Sequence, residues 1–323
     1  MKRAIVFLAL GVCACSGGAP ADGALPQMTE LFGELDAYDA ISVQNGLVSV
    51  EIPGSGVVTC SVNGCDSPTL LVASDAYVTG ALASSVTYAA QDGTDDGVSG
   101  ELHVVDASGD HAIATGLAYP SWVATSGART FVADDSFSYD DTPATIACVG
   151  CTSDGQAAPW ISGLGGSTYG MFADATNVYV LADDPTLSTV QLLACSASHP
   201  CWGEPRIVLD GLDQTITAQQ IASDGDAVYV ARAVTSDVVR VDASGVTPIL
   251  PTTNASALVW DASMHVLWFG TPNGDVGYAN ADGTANTLIA SAAGSIRAIA
   301  TDDSSVYVVT GASGEIVMKT QKQ

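Results

Sequence analysis

One stretch constrains this chain more than any other: Gln219–Leu250, QQIASDGDAVYVARAVTSDVVRVDASGVTPIL. Apolar and polar residues alternate, β-branched residues dominate, and Gly, Asp, Ser or Pro fill each gap. That pattern predicts strands at Gln219–Ala222, around Val228-Tyr229-Val230, at Val238–Val241 and up to Leu250, joined by turns at Ser223–Gly225 and Ala243–Gly245. A four-stranded meander of this size cannot cover both of its faces. It needs copies of itself, and the chain supplies them.

The second strand recurs as Leu47–Val50, Val86–Ala90, Arg129–Ala133, Asn177–Leu181, Ala227–Ala231, His265–Phe269 and Ser305–Val309. Its central residues, Ser49, Tyr88, Phe131, Tyr179, Tyr229, Leu267 and Tyr307, are spaced by 39, 43, 48, 50, 38 and 40 residues. This brackets the period of four-stranded propeller blades. The expectation is an all-β, seven-bladed β-propeller of four-stranded antiparallel blades, with Asp75–Leu117 the least regular copy and six to eight the range around the count. The last copy, Ser295–Gln323, stops after its third strand, while Met28–Leu35 (MTELFGEL) matches the fourth strand and exit turn of Pro205–Leu212 (PRIVLDGL). Met28–Leu35 is therefore expected to close the ring as an outer strand, which leaves only short, protected edges. Its Met, Leu and Glu residues would also suit a helix.

Three regions are expected: residues 1–15 as a signal peptide, 16–27 as a flexible tether and 28–323 as the propeller. Lys2-Arg3 and the apolar Ala4–Val12, too short to span a bilayer, lead directly into cysteine. This resembles a bacterial lipoprotein signal, whose cleavage leaves a lipidated Cys as the first residue. Cys15, preceded by the small Ala14, fits that role better than Cys13, preceded by Val12. The alternative is an ordinary signal peptide cut near Ala19 or Ala21. By the same resemblance, Ser16 after the cysteine points to the outer membrane of the cell envelope, with the lipid as the sole membrane contact.

The chain has 35 acidic residues against 9 basic ones, a formal net charge of −26, which makes nucleic acid and anionic lipid surfaces poor partners. Cations or a basic protein partner suit that charge.

The six remaining cysteines form local pairs, Cys60–Cys65, Cys148–Cys151 and Cys195–Cys201, each at or just after the end of a third strand. Equivalent placement in three repeats of an exported chain reads as three disulfides across hairpin turns. The rival readings of Cys148-Val149-Gly150-Cys151 lack support: a redox pair wants a helix N-terminus, and zinc wants a second ligand pair.

Aspartates recur between first and second strands at Asp174, Asp224, Asp226, Asp261, Asp302 and Asp303. Asp bonds its own turn backbone, so these read as architecture. The longer loops between second and third strands read differently. Gln91–Gly100, Asp134–Pro143 and Ala182–Ser188 leave three adjacent blades on one face of the ring, opposite the cysteine turns. They would present Asp92, Asp95, Asp96, Asp134, Asp135, Asp140, Asp141, Asp183 and Asp184 together, with Phe137 and Tyr139 among them as anchors for a partner. The bland reading is solvated loop polarity. No dedicated calcium-loop spacing is present, so a divalent cation would need a site assembled between loops; no cofactor is implied.

No catalytic set is legible. His103, His111, His199 and His265 have no ligand spacing, with His103 and His265 placed in strands, and no G-x-S-x-G elbow occurs. Glycine-rich Ser162–Gly166 precedes a strand rather than the helix that phosphate binding needs. Of the first strands, only Gln219, Gln220 and Arg297 offer polar chemistry to a central channel.

The recurring I-A-x-D-x-x-x-V-Y-V…R-V-D-x-x-G of Ile221–Gly245 resembles secreted bacterial propellers with NHL, YncE-like and YWTD-type repeats. The Cys-x-x-x-Gly-Cys ending at Val58–Cys65 is similar to myxobacterial propeller lipoproteins. The resemblance covers about residues 28–320. It implies a class that includes binding scaffolds, lactonases, lyases and quinoprotein enzymes, and none of those enzymes' catalytic residues matches a position here. Two functional readings stay open. One is a lipid-anchored, non-enzymatic envelope scaffold with a protein partner. The other is a hydrolase or lyase with its site at the central channel.

Overall fold

In the computed structural model, residues 25–35, 40–44, 46–52, 56–65, 68–70, 77–79, 86–91, 100–106, 109–117, 120–134, 144–152, 156–164, 166–184, 186–202, 205–311 and 315–322 are described. The first strand, β1 (Thr29–Leu35), is not a member of the blade next to it in sequence. That first blade is β2 (Ile41–Gln44), β3 (Leu47–Ile52), β4 (Gly56–Ser61) and β5 (Thr69–Leu70). The second is β6 (Tyr77–Thr79), β7 (Val86–Gln91), β8 (Gly100–Asp106) and β9 (Gly109–Leu117). The third is β10 (Pro120–Ser126), β11 (Arg129–Asp134), β12 (Thr145–Val149) and β13 (Ala158–Ile161). The fourth is β14 (Thr168–Ala173), β15 (Asn177–Asp183), β16 (Val190–Ser196) and β17 (Arg206–Leu212). The fifth is β18 (Ile221–Ser223), β19 (Val228–Arg232), β20 (Asp237–Asp242) and β21 (Gly245–Leu250). The sixth is β22 (Ala257–Asp261), β23 (Val266–Gly270), β24 (Asp275–Asn280) and β25 (Asn286–Ser291).

These six blades are complete antiparallel meanders of consecutive strands. The remaining sheet is composite: β26 (Ser295–Thr301), β27 (Ser305–Gly311) and β28 (Glu315–Gln321) are joined by β1, in the order β1-β28-β27-β26. The expected count of seven copies is corrected accordingly. The chain carries six complete four-stranded blades, and the Ser295–Gln323 segment supplies three strands that become a sheet only with β1. Without it β28 would present an open row of backbone donors and acceptors. The pairing runs from Thr29↔Lys319 to Leu35↔Glu315, with irregularities on either side of Phe32.

The innermost strands stand side by side around an axis, β26 beside β2, β6 beside β10, β10 beside β14 and β18 beside β22, which in turn meets β26. Second strands are buried on both faces, as in Val228–Ala231 and Val266–Gly270, while outer strands such as β21 are exposed over four of six positions. The packed clusters lie between blades rather than within them. Tyr179 and Leu181 of the fourth blade pack with Val228 and Val230 of the fifth, and Tyr229 and Ala231 of the fifth pack with Leu258 and Leu267 of the sixth. Each buried Val or Leu contributes roughly 1.5–3 kcal/mol, so neighbouring blades stabilise one another. This is the burial a single meander lacks.

Two local expectations shift. Gln219 and Gln220 do not belong to the fifth blade's first strand: Ala218–Gln220 is a 3-10 turn and the strand starts at Ile221. His265 is not in a strand either; it takes a left-handed φ of 54° in the turn before β23.

Turn aspartates act as the pattern suggested. Asp224 Oδ1 accepts the backbone N–H of Asp226 and Ala227, and Asp224 Oδ2 accepts the Tyr229 hydroxyl at 2.6 Å. Asp302 repeats this, taking Ser304 N–H, Ser305 N–H and, at 2.7 Å, the Tyr307 hydroxyl. In the sixth blade, where Leu267 holds the tyrosine's position, the neighbouring Trp268 donates its indole N–H to Asp261 at 3.1 Å. Asp174 is shared across a blade boundary, accepting the Ser223 hydroxyl of the fifth blade at 2.7 Å.

Candidate functional site

The face on which first strands begin is also the face of the loops between second and third strands. There a cavity of about 600 Å³ opens at the central axis. Its lining draws on five of the sheets: Trp122 from β10, Thr168 and Tyr169 from β14, Gln214–Gln220 and Ala233 from the fifth blade and its lead-in, Asn254–Ser256 and Pro272 from the sixth, and Ser295–Arg297 from β26. A smaller hollow of about 380 Å³ shares Gln214–Ile216, Gln220 and Ala233 with it and continues over Arg232–Thr235 and Ser188–Thr189.

Backbone register explains why polar side chains reach this mouth. Val123, Met171, Ile221 and Ile299 are equivalent, each facing the central valine of its second strand: Val132, Val180, Val230 and Val308. Two residues earlier stand Ser121, Tyr169, Gln219 and Arg297. In β10, β14 and β26 the register breaks at that very residue, between Pro120 and Trp122, Thr168 and Gly170, and Ile296 and Ala298. A bulge re-aims the side chain of the extra residue and is a recurrent device beside binding sites. In the fifth blade the 3-10 turn occupies the same place and carries Gln219.

Several wall groups are held by one another. Trp122 Nε1 donates to the Thr168 carbonyl at 3.3 Å, and Ser256 Oγ donates to the Ile296 carbonyl at 2.5 Å. Gln220 is buried and bonds locally, its Oε1 accepting Thr217 N–H at 3.0 Å and its Nε2 donating to the Ala231 carbonyl at 3.4 Å. Tyr169 donates its hydroxyl to Asp183 Oδ1 at 2.9 Å; burial and that carboxylate raise its pKa above 10.0, so it remains a protonated donor. Gly170 allows the fourth and fifth blades to close at this level, since a Cβ there would lie 2.7 Å from Ala218 N.

Of the acidic loop residues, Asp92, Asp95, Asp96, Asp135, Phe137, Tyr139, Asp140 and Asp141 lie outside the described residues, as does Cys15 with the signal and tether. Asp134 ends β11 and is partly exposed. Asp183 braces the channel wall, its Oδ2 accepting Ser167 N–H at 3.1 Å. Asp184 is 7% exposed and shapes its own loop, accepting Thr186 N–H and hydroxyl, Leu187 N–H and the Gln191 amide. The Thr186 bonds hold its pKa below the usual carboxylate value. Both carboxylates are thus engaged within the fourth blade, Asp183 by the entry to β14 and Asp184 by its own loop.

All three cysteine pairs are disulfides, with Cα–Cα separations of 5.6, 5.7 and 5.8 Å for Cys60–Cys65, Cys148–Cys151 and Cys195–Cys201. They lie on the opposite face, where blades are stitched together. Arg129 Nη1 donates to the Ala197 carbonyl at 2.5 Å, Trp160 Nε1 to the Ser196 carbonyl at 2.9 Å, and Lys319 Nζ to the Val62 carbonyl at 2.7 Å. His199 belongs to the third disulfide turn, and His103 in β8 lies between Glu101 (2.9 Å) and Asp110 (3.0 Å). Among the described residues no group of three or more His, Cys, Asp or Glu could hold a metal ion.

Trp122 and Tyr169 were missed by sequence reasoning, because an aromatic near the start of a first strand reads as one more apolar strand residue and no residue pattern marks the register break beside it.

No protein-family model matches the chain, and no curated protein does. Solved structures do. A streptogramin B lyase is 13% identical with a TM-score of 0.60, covering 92% of this chain and 97% of its own. BamB from Moraxella catarrhalis is 14% identical with a TM-score of 0.51, over 91% and 100%. A chain of the mitotic checkpoint complex is 12% identical with a TM-score of 0.64, over 97% and 100%. These likenesses show the β-propeller fold.

Proposed function

We propose that this chain is an exported, lipid-anchored propeller of the bacterial cell envelope that binds a ligand or partner at the channel-mouth face and does not transform it. The observation that carries the reading is the set of three bulges, at equivalent positions of β10, β14 and β26, around a cavity of about 600 Å³ lined by Tyr169 and Arg297 from two of them and by Trp122, which directly follows the third. A cavity of this size is in the range of small-molecule sites, which combine apolar walls with a few placed polar groups. The character of the lining favours binding over hydrolysis or elimination: amides, hydroxyls, an indole, a guanidinium and a phenol kept protonated do not form an acid–base pair poised near neutrality. The disulfides fit an oxidising compartment, and Cys15 supplies the anchor that the signal-like Met1–Cys15 implies.

A photoreactive amino acid at exposed Thr215 or Asn254 tests the face. Irradiation in a native envelope should give cross-links from both positions and none from Val246 on the outer strand β21. Equal labelling at all three, or none at the channel rim, overturns the reading. The anchor is tested separately: palmitate incorporation should vanish in Cys15→Ser with Cys13 intact, and its survival would refute Cys15 as the acceptor.

A further inference from the structure

We infer that the channel-mouth cavity takes a small organic ligand with an anionic head group, carboxylate or phosphate, fixed by Arg297 and with its apolar body against Trp122 and Tyr169. This rests on the reading of the mouth as a ligand site and names the chemistry it selects. Arg297 is the one charged side chain among the described lining residues, in a chain with only 9 basic residues against 35 acidic ones. Its placement is built into the backbone, because the register break between Ile296 and Ala298 sets Arg297 out of the strand's alternation. The flanking Ile296 and Ala298 are buried at 0% and 1%, so the guanidinium springs from a fixed base.

A guanidinium presents planar paired donors that match a carboxylate or phosphate two bonds at a time. The groups around it are suited to the rest of such a ligand. Gln219 from the equivalent position of the fifth blade and Ser295 beside it offer neutral hydrogen-bonding groups, while Trp122 and Tyr169 offer flat surfaces. The acidic exterior does not abolish such a site, because at ordinary ionic strength surface charges are screened within roughly 10 Å. A cationic ligand would have to approach Arg297 with no carboxylate among the described lining residues to receive it.

The test is ligand-observed NMR on the full propeller with four probes: benzoate, phenyl phosphate, benzamide and benzylamine. One of the two anions should bind about ten-fold or more tightly than benzamide and benzylamine, and which of them does so identifies the head group. Arg297→Gln should remove that preference in a protein whose circular dichroism spectrum still shows the folded propeller, and Arg297→Lys should restore only part of it, since the charge remains but the fork does not. Equal binding of benzamide, or an anion preference that persists in Arg297→Gln, would overturn the proposal. If benzamide binds as well as benzoate and Trp122→Ala abolishes both, the cavity is a ligand site and only the anionic head group falls. If no probe binds, the anionic-ligand assignment falls, and the rim cross-links decide the broader reading independently.

Discussion

Lys322 and Asp261 face each other across the boundary between the sixth blade and the closing sheet, ammonium against carboxylate, with side chains only 6% and 3% exposed. The same aspartate accepts the Ser263 hydroxyl, the Ser263 and Met264 backbone N–H groups and the Trp268 indole. One carboxylate therefore joins a turn, a buried tryptophan and the residue just past the last strand.

Removing the ammonium should be costly. Lys322→Met leaves a buried carboxylate without its counter-ion, and breaking a buried pair in this way costs roughly 3–5 kcal/mol. The more open Arg240–Asp242 pair, with side chains 33% and 18% exposed, should lose much less when Asp242 becomes Asn. Urea denaturation of the two variants checks the ordering; a loss in Lys322→Met no larger than in Asp242→Asn would contradict it. Combining Lys322→Met with Asp261→Asn should destabilise less than the sum of the two, because the charge left stranded is gone.

Acid stability depends on the same site. Burial pushes the Asp261 pKa up, but the bonds from Lys322, Ser263, Trp268 and Met264 outweigh it and bring the group from 3.8 to about 2. A carboxylate depressed in the folded state contributes stability above its unfolded pKa and loses it as pH falls through the folded value. The contribution, roughly 2–3 kcal/mol at about 1.4 kcal/mol per unit, should therefore be complete above pH 4 and disappear towards pH 2. The pH profile of unfolding for Asp261→Asn should be flatter over that window than the wild type; parallel profiles would refute the assignment.

Tyr229 and Tyr307 give the opposite limb. Burial first, and then the carboxylates of Asp224 and Asp302, raise both phenols well above 10.0. A group whose folded pKa is raised contributes stability below its unfolded pKa and loses it as pH rises beyond. Spectrophotometric titration should place Tyr229 and Tyr307 among the tyrosines that ionise only with unfolding, and Tyr229→Phe and Tyr307→Phe should each remove one from that group. Each substitution should also cost about 1.5–3 kcal/mol at neutral pH, the range for hydrogen bonds to charged groups.

At the channel, Gly170→Ala should act on stability and site together. The added methyl would meet Ala218 N at 2.7 Å and Ala218 Cβ at 2.8 Å, so the Ala218–Gln220 turn must move. Overpacking of this kind costs typically 1–3 kcal/mol. Anion-probe binding should weaken with it, whereas Gly211→Ala, strained at φ +70° but facing open space, should lose stability and keep the probe. Full binding in Gly170→Ala would separate the turn from the site.

The disulfides Cys148–Cys151 and Cys195–Cys201 share one packed cluster across the third and fourth blades. Their loops are short, so each should contribute no more than about 2 kcal/mol. Replacing both pairs by Ala should deviate from additivity, whereas combining either with loss of Cys60–Cys65, which packs in a different cluster, should not. Additive losses in both combinations would show the two bonds to be independent.

The repeat was legible because alternation and turn chemistry are local, and each of the second strands from Leu47 to Val309 carries them. Asp224 and Asp302 could be assigned to turns for the same reason, although their bonds to Tyr229 and Tyr307 depend on the pleat. The three cysteine pairs were readable from equivalent placement. The channel mouth was not, apart from Gln219, Gln220 and Arg297, because Tyr169 sits on a bulge and Trp122 directly follows one, and no residue pattern announces either. Gln220 reads in sequence as open channel chemistry, but the 3-10 turn buries it. Loop acidity also misleads in part, since Asp184 looks solvated in sequence and is one of the buried carboxylates.

The pairing of Thr29 with Lys319 ties together residues almost a chain length apart. Such a contact is the slowest kind to form, because the entropy of closing so long a loop must be met before any reward arrives. The six complete meanders can form in the order they are made, each templating the next. The ring itself cannot exist until Glu315–Gln321 has been synthesised and β1 has been kept free to meet it. Refolding should therefore show blade formation first and closure last, with β28 as the exposed, aggregation-prone edge of every molecule still waiting.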